Sequence, residues 1–365
     1  MTAPQPPAVR IGKHQIGGGA RCFVIAEAGV NHNGDPDLAR RLVDIAAAAG
    51  ADAIKFQTFD PAALVTADAP KAAYQQRNDG TTRSQREMLD ALVLPRVLHH
   101  ELRARAEAAG VLFLSTPFDE GSADFLVELG LPGLKIGSGE LTNHLLLDHL
   151  ARKRLPLLLS TGMATLAEVE QALHVIRAAG DPPVALFHCV SNYPCAPAEA
   201  NLRAMATLRD RFGLPTGWSD HTLGLEIAFA SVAMGAQLLE KHFTLDRRLP
   251  GPDHRASLEP AELGALVQGV RAIESAFGSG DKSPSPAERA VALVARRSLH
   301  WRNPLPAGQV VRPQDLQALR PGDGVSAAHV ADLVGRPVRR AVAAGARVDL
   351  RDLDLDLSVR TKGAS

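Results

Sequence analysis

A parallel (β/α)8 barrel followed by a small β-rich domain is the fold class that this 365-residue sequence predicts, and three observations carry the barrel. Eight short runs rich in aliphatic and β-branched residues recur along the first two thirds of the chain. Most are separated by Ala/Leu/Arg/Glu stretches with helical periodicity. Almost every run also finishes with a polar or charged residue that a buried strand does not carry without reason.

The runs cover 23–29, 53–58, 112–117, 133–138, 155–161, 184–189, 216–221 and 238–244. They are continuously apolar rather than alternating, as expected of parallel strands covered on both faces. Helical patterns fall at 37–49, 98–109, 122–129, 166–179, 202–212 and 225–234. An open, doubly wound sheet also accommodates this order. Closure is favoured by the polar ends: Glu27; Lys55 and Gln57; Thr116; Lys135 and Ser138; Ser160 and Thr161; Ser191; Ser219 and His221; Glu240 and His242. A barrel gathers all of these at its C-terminal face, where such enzymes hold their active sites.

Around Gly278-Ser-Gly-Asp-Lys-Ser-Pro-Ser-Pro286 the composition turns to Gly, Ser and Pro. This places residues 1–280 in the barrel, 281–296 in a linker and 297–365 in the small domain. The last part has short alternating runs and frequent turns, as at Asn303-Pro304, Arg320-Pro321-Gly322 and Gly335-Arg336-Pro337. A domain of roughly 60 residues is marginal alone and needs a surface to pack on.

Forty basic residues balance forty acidic ones, so no global field steers the molecule to nucleic acid or anionic membrane. The first residues show neither a basic nor an apolar leader pattern, and no apolar run approaches the roughly 20 residues that span a bilayer. The expectation is a cytoplasmic protein. Cys22, Cys189 and Cys195 are too scattered for a disulfide framework. Cys189 reads as a small core residue, and Cys195 has no neighbour that would activate a thiol.

Three constellations carry chemistry. A histidine in an apolar run is more often a satisfied core residue than a ligand. His221 and His242, however, end consecutive strands, and two imidazoles with open positions suit a catalytic divalent ion. Lys55 and Lys135 are costly to bury unless each meets an anion. That anion is either an internal carboxylate, Glu27, Glu140 or Glu240, or a phosphorylated, carboxylated small molecule gripped with Thr116, Ser138 and Ser160. A barrel lysine also keeps a Schiff-base aldolase open. Finally, Asp253 lies in a turn-rich loop after the last strand, where it serves either as an acceptor for sugar hydroxyls or as a solvated loop residue.

Taken jointly and in order, several motifs resemble the sialic acid synthase family: Glu27-Ala-Gly-Val-Asn31-His32-Asn33-Gly34, Lys55-Phe-Gln57-Thr58, Ser115-Thr116-Pro-Phe118, Lys135-Ile-Gly-Ser138-Gly-Glu140, Ser160-Thr-Gly-Met163, Ser191-Asn192-Tyr193-Pro194, Ser219-Asp-His221-Thr222 and Glu240-Lys-His242-Phe-Thr244. The resemblance runs from about residue 20 to residue 352 and includes a C-terminal part similar to the antifreeze-like (SAF) domain.

The resemblance implies condensation of phosphoenolpyruvate with open-chain N-acetylmannosamine and water, giving N-acetylneuraminate and phosphate by C–O cleavage. Relatives with the same core act on 2,4-diacetamido hexoses and make legionaminic or pseudaminic acid. It implies that His221 and His242 hold Mn2+ or Mg2+, which polarises the aldehyde and positions a water. Lys55, Thr116, Lys135, Ser138, Ser160 and Ser191 would grip phosphoenolpyruvate, with Asn192 a second candidate beside Ser191. Glu27 would be a hydrogen-bond or proton-transfer group near the reacting carbons, and Gln57, Tyr193 and Asp253 would bind the sugar. Arg320, in the Arg-Pro-Gly turn, would reach the N-acetyl group across a domain-swapped homodimer. Sugar selectivity would lie in loops such as 74–88. A non-enzymatic carbohydrate-binding or ice-surface role for the C-terminal module leaves the lysines and histidines unexplained.

Overall fold

The computed structural model describes residues 7–72, 75–76, 84–353 and 355. The chain divides into two compact units, Met1–Gly278 and Ser279–Ser365.

The first unit opens with an antiparallel hairpin, β1 (Val9–Ile11) and β2 (His14–Ile16). Eight parallel strands follow: β3 (Phe23–Gly29), β4 (Ala53–Thr58), β5 (Leu112–Pro117), β6 (Leu134–Ile136), β7 (Leu157–Ser160), β8 (Val184–Cys189), β9 (Thr216–Asp220) and β10 (Leu238–His242). They form one sheet in the order β5-β4-β3-β10-β9-β8-β7-β6, and the contiguous edges β5 and β6 bring it round into a nearly closed (β/α)8 barrel. The barrel expectation is met, and the doubly wound alternative falls away. β6, expected to span six residues, keeps only three, because Gly137 and the short 3-10 turn Ser138–Glu140 bend the chain out of the ladder.

Alternation along the strands sorts the side chains into two shells. Phe23, Ile25, Ala53, Leu114, Leu158, Ala185, Phe187 and Leu238 make an inner cluster, and Val9, Ile11 and Ile16 of the hairpin join it. Val24, Ile54, Phe113, Leu134, Leu159, Leu186, Trp218 and Leu239 face the other way, into the larger core shared with the helices. At the next inward-facing positions, two or more residues further along each strand, the apolar inner cluster gives way to Glu27, Lys55, Thr116, Lys135, Ser160, Glu240 and His242. The site therefore stands on an apolar floor.

Covering helices follow the strands as expected at 36–48, 96–108, 120–128, 166–179, 203–212 and 226–233. Two more, His144–Arg152 and Pro260–Ala276, were not foreseen. Among the described residues, no helix is long and apolar enough to cross a membrane.

In the second unit, β11 (Ser298–Trp301) pairs antiparallel with β12 (Leu316–Leu319) over a core of Leu299, Trp301, Leu305, Val311, Leu316, Leu333, Val338, Val342 and Val348. The stretch 281–296 is not plain linker, because it contains the helix Pro286–Ala295. Ser285 caps that helix through a reciprocal bond with Glu288, and Pro286 sits in its first turn.

Candidate active site

A cavity of about 440 Å3 opens at the C-terminal ends of the barrel strands. It is lined by Glu27, Lys55, Gln57, Thr116, Lys135, Ser138, Ser160, Ser191, Tyr193, His221, His242 and Asp253, so the structure gathers every site residue named from the sequence except Arg320. Arg320 stands exposed just after β12 in the second unit. Ser191 rather than Asn192 faces the cavity, and Asn192 is exposed with its amide directed at Glu199.

Two lysines and two glutamates form its base. Lys55 Nζ lies 2.7 Å from Glu27 Oε2, 3.7 Å from Glu240 Oε2 and 2.9 Å from Thr116 Oγ1. Lys135 Nζ lies 3.4 Å from Glu240 Oε1, 2.7 Å from Ser160 Oγ and 5.1 Å from the centre of the Phe187 ring. Ser219 donates to Glu240 at 3.0 Å. The internal ion pairs weighed from the sequence therefore exist, with Glu27 and Glu240 as partners. Glu140 instead accepts from Asn143. Pairing does not remove the lysines from the cavity, which both of them line.

The charges follow from burial and position. Burial pushes the Glu27 carboxyl up to about 7, against the pull of Lys55. Burial opposes ionisation of Glu240 as well, but Lys135 and Lys55 outweigh it and bring that carboxyl down to about 2. Burial also works against the Lys55 ammonium, and Glu240 and Glu27 more than offset it, so its pKa rises. For Lys135 burial prevails and the pKa falls. The arrangement holds one carboxylate firmly ionised and leaves the other able to carry a proton near neutrality.

His221 and His242 stand side by side with ring centres 5.6 Å apart. His221 Nδ1 lies 2.7 Å from the Val190 carbonyl, an acceptor, so that nitrogen carries the proton and Nε2 has a free lone pair. His242 Nδ1 is buried without a hydrogen bond, and Asp253 Oδ2 is 4.0 Å away. Burial brings His221 down to about 4 and His242 well below the usual imidazole range, so both rings are neutral at physiological pH. Two neutral imidazoles with available lone pairs fit a divalent ion. Among the described residues no three His, Cys, Asp or Glu converge on one point, so water and substrate would supply the remaining ligands. Tyr193 packs on His221 at 4.0 Å between ring centres.

Several residues in or beside the cavity were given no individual role from the sequence. Cys189, read as plain core, borders the cavity with its Sγ 3.1 Å from Ser138 Oγ. Gly162 donates its N–H to Ser138 Oγ at 3.0 Å, and a Cβ there would come within 2.5 Å of Ser191 Oγ. Val30, Phe59, Leu64, Met88, Leu89, Leu92 and Phe118 form an apolar wall on one side. Of the 74–88 loop singled out for selectivity, residues 74 and 77–83 lie outside the described residues. Gln75, Gln85 and Met88 line the cavity.

The NeuB family model matches residues 42–282, and the SAF domain model matches residues 296–353. N,N'-diacetyllegionaminic acid synthase of Legionella pneumophila is 46% identical over 333 residues, covering 90% of this chain and 94% of that protein. The synthase of the same name from Campylobacter jejuni is 43% identical over 318 residues, covering 87% and 95%. The crystal structure of N-acetylneuraminic acid (sialic acid) synthetase from Leptospira borgpetersenii, in complex with citrate, superposes with a TM-score of 0.69 at 36% identity, covering 79% of this chain and 95% of that one.

Proposed function

This chain belongs to the NeuB family and carries a SAF domain, and from that membership we propose that it condenses phosphoenolpyruvate with a 2,4-diacetamido hexose to give N,N'-diacetyllegionaminic acid and phosphate. One observation carries the choice of sugar: two diacetyllegionaminic acid synthases share 46% and 43% identity along nearly the whole chain, whereas the N-acetylneuraminic acid synthetase shares 36%. N-acetylmannosamine, the acceptor first suggested by the motifs, becomes the second reading. The apolar wall of Phe59, Leu64, Met88, Leu89 and Leu92 supports the change, because a second acetamido group brings a methyl that such a wall can cover.

In this reading Lys55 and Lys135, with Thr116, Ser138, Ser160 and Ser191, hold the phosphate and carboxylate of phosphoenolpyruvate. Charge-assisted bonds to two ammoniums account for the anion specificity. Phosphoenolpyruvate C3 attacks the sugar aldehyde, water adds at C2, and the tetrahedral hemiketal phosphate expels phosphate by C–O cleavage. The lysines stabilise the developing charge. Glu27, able to hold a proton near neutrality, would relay one at the reacting carbons. His221 and His242 would hold Mn2+ or Mg2+, which when bound supplies Lewis acidity toward the aldehyde oxygen. Gln57, Tyr193 and Asp253 orient the sugar, and Arg320 would complete its site from the second copy of a homodimer. Lys55, held as an ammonium by two carboxylates, is a poor Schiff-base amine, so an aldolase would have to use Lys135, whose pKa burial lowers.

The test is phosphate release from phosphoenolpyruvate by chelator-treated protein with Mn2+ restored, in parallel with the two sugars. Release with the 2,4-diacetamido hexose alone, or much faster with it, is the expected result. Equal or greater release with N-acetylmannosamine moves the product to N-acetylneuraminate, and release with neither removes the proposed reaction.

A further inference from the structure

The residues directly before the two histidines form an ion pair that the chemistry above does not use. Asp220 and Lys241 are register partners on β9 and β10. Each is 1% exposed. Their parity is outward: Trp218 and Leu239, two residues earlier on each strand, lie in the core shared with the helices, whereas Ser219, His221, Glu240 and His242 line the cavity. Lys241 Nζ donates to Asp220 Oδ2 at 2.6 Å and to the Thr222 carbonyl at 2.8 Å. Asp220 Oδ1 accepts from the Thr222 N–H at 2.9 Å and from its hydroxyl at 2.8 Å. These four bonds close a clasp around the 220–222 turn and tie it to the end of β10. From the opposite side, the Cys195 N–H donates to the His221 carbonyl at 2.8 Å.

A buried ion pair contributes little net stability compared with apolar packing, because desolvating both charges offsets most of their attraction. Its placement is more informative. Each member is one peptide from a histidine, so any change in the distance between Asp220 and Lys241 is transmitted through the backbone to the separation and tilt of His221 and His242. We propose that Asp220, Lys241 and Thr222 are positioning residues that set the spacing of the two imidazoles for a single divalent ion. The proposal rests on the metal reading of this site.

The experiment titrates Mn2+ into chelator-treated full-length protein and follows the paramagnetic resonance signal of the free aquo ion. It compares wild type, His221→Ala, the double variant Asp220→Asn with Lys241→Met, and Thr222→Val. The double variant removes both charges, while the amide oxygen of the introduced asparagine can still accept from Thr222. The Thr222→Val change removes only the hydroxyl bond to Asp220. Wild type should bind one Mn2+ and His221→Ala should not. If wild type fails to bind, or His221→Ala binds equally well, the metal reading itself is lost. With the metal reading intact, a folded double variant should bind about 10- to 100-fold more weakly, the range found when partners of metal-bound histidines are removed. A folded double variant with wild-type affinity overturns the proposal. If the double variant does not fold, Thr222→Val decides: weakening of about threefold or more supports the clasp, and unchanged affinity overturns it.

Discussion

Lys55 and Glu27 are register partners on β4 and β3, and their side chains meet 2.7 Å apart with almost no exposure to solvent. Neither group could be buried at this depth alone, so each is part of the reason the other is tolerated. Glu240 then serves two lysines at once, 3.7 Å from Lys55 and 3.4 Å from Lys135. The barrel mouth thus holds its cations preorganised before any anion arrives, which lowers the reorganisation needed when charge develops on a bound phosphate.

Removing the lysine and removing the glutamate should therefore differ. Lys55→Met leaves Glu27 without its cation and Glu240 with Lys135 alone, and should lower unfolding free energy by about 3–5 kcal/mol, the usual result of breaking a buried pair from one side. Glu27→Gln keeps a hydrogen-bonding group beside Lys55 and should cost less stability. It should still slow phosphate release by about 10²- to 10⁴-fold if Glu27 moves a proton. Urea unfolding and phosphate-release rates on the same preparations check both; equal stability losses would contradict the account of the pair.

Gly162 tests the anion pocket without touching a charge. A Cβ at this position would lie 2.5 Å from Ser191 Oγ, 2.7 Å from Ser138 Oγ and 2.9 Å from Cys189 Sγ. Gly162→Ala should displace these side chains and raise the KM for phosphoenolpyruvate by at least about tenfold, with a smaller effect on the KM for the sugar. The steric penalty is the typical overpacking range of about 1–3 kcal/mol, so the protein should stay folded. An unchanged KM would show that these hydroxyls do not grip phosphoenolpyruvate.

Asn31 links the loop after β3 to the loop that carries Asp253. Its amide donates to the Phe243 carbonyl at 2.8 Å and to Ser257 Oγ at 2.9 Å, and Ser257 Oγ donates to the Asp253 carbonyl at 2.8 Å. Asn31→Ala should free the Asp253 loop. The expected outcome is a several-fold rise in the KM for the sugar, little change in the KM for phosphoenolpyruvate, and a stability loss of about 1–3 kcal/mol from the buried groups left unpaired. Steady-state kinetics varying each substrate separates the two effects, and a rise confined to phosphoenolpyruvate would remove Asp253 from the sugar side.

The strand ends were legible because side-chain parity is a strict consequence of strand geometry. A charged residue such as Lys55 or Glu240 inside an apolar run had to face a partner or a ligand, and the barrel supplies both. Other features left no such mark. The hairpin Val9–Ile16 closes the inner cluster with only three buried apolar residues, too short a signal to distinguish from a loop. Helix 286–295 was masked by the Gly, Ser and Pro residues before it, although Ser285 and Glu288 have the spacing of a capping box. The crowding at Gly162 depends on which side chains converge on it and the Asp220–Lys241 clasp on the register of β9 against β10, and sequence spacing carries neither. Cys189 is buried, as expected of a small core residue, and its place beside the cavity was not foreseen because inward parity alone does not say how far up the barrel a residue sits.

His32 gives a pH dependence with a definite sign. It is 1% exposed, its Nδ1 accepts from the Gly34 N–H at 3.0 Å, and its Nε2 has no hydrogen bond. Burial brings its pKa from 6.5 to about 3. Between those values the unfolded chain binds a proton at His32 that the folded chain does not, so this residue makes folding less favourable as pH falls below 6.5. From pH 6.5 to pH 4 the loss amounts to at most about 3 kcal/mol, at 1.36 kcal/mol per unit. Glu27 and Asp253, both raised by burial, change stability in the opposite direction over part of this range, so the total curve is the wrong observable. The difference between wild type and His32→Asn isolates the term. Wild type should lead by most at pH 7 and the gap should narrow steadily toward pH 4 in denaturant titrations, whereas a gap independent of pH would mean that His32 takes up its proton as readily in the folded protein as in the unfolded chain.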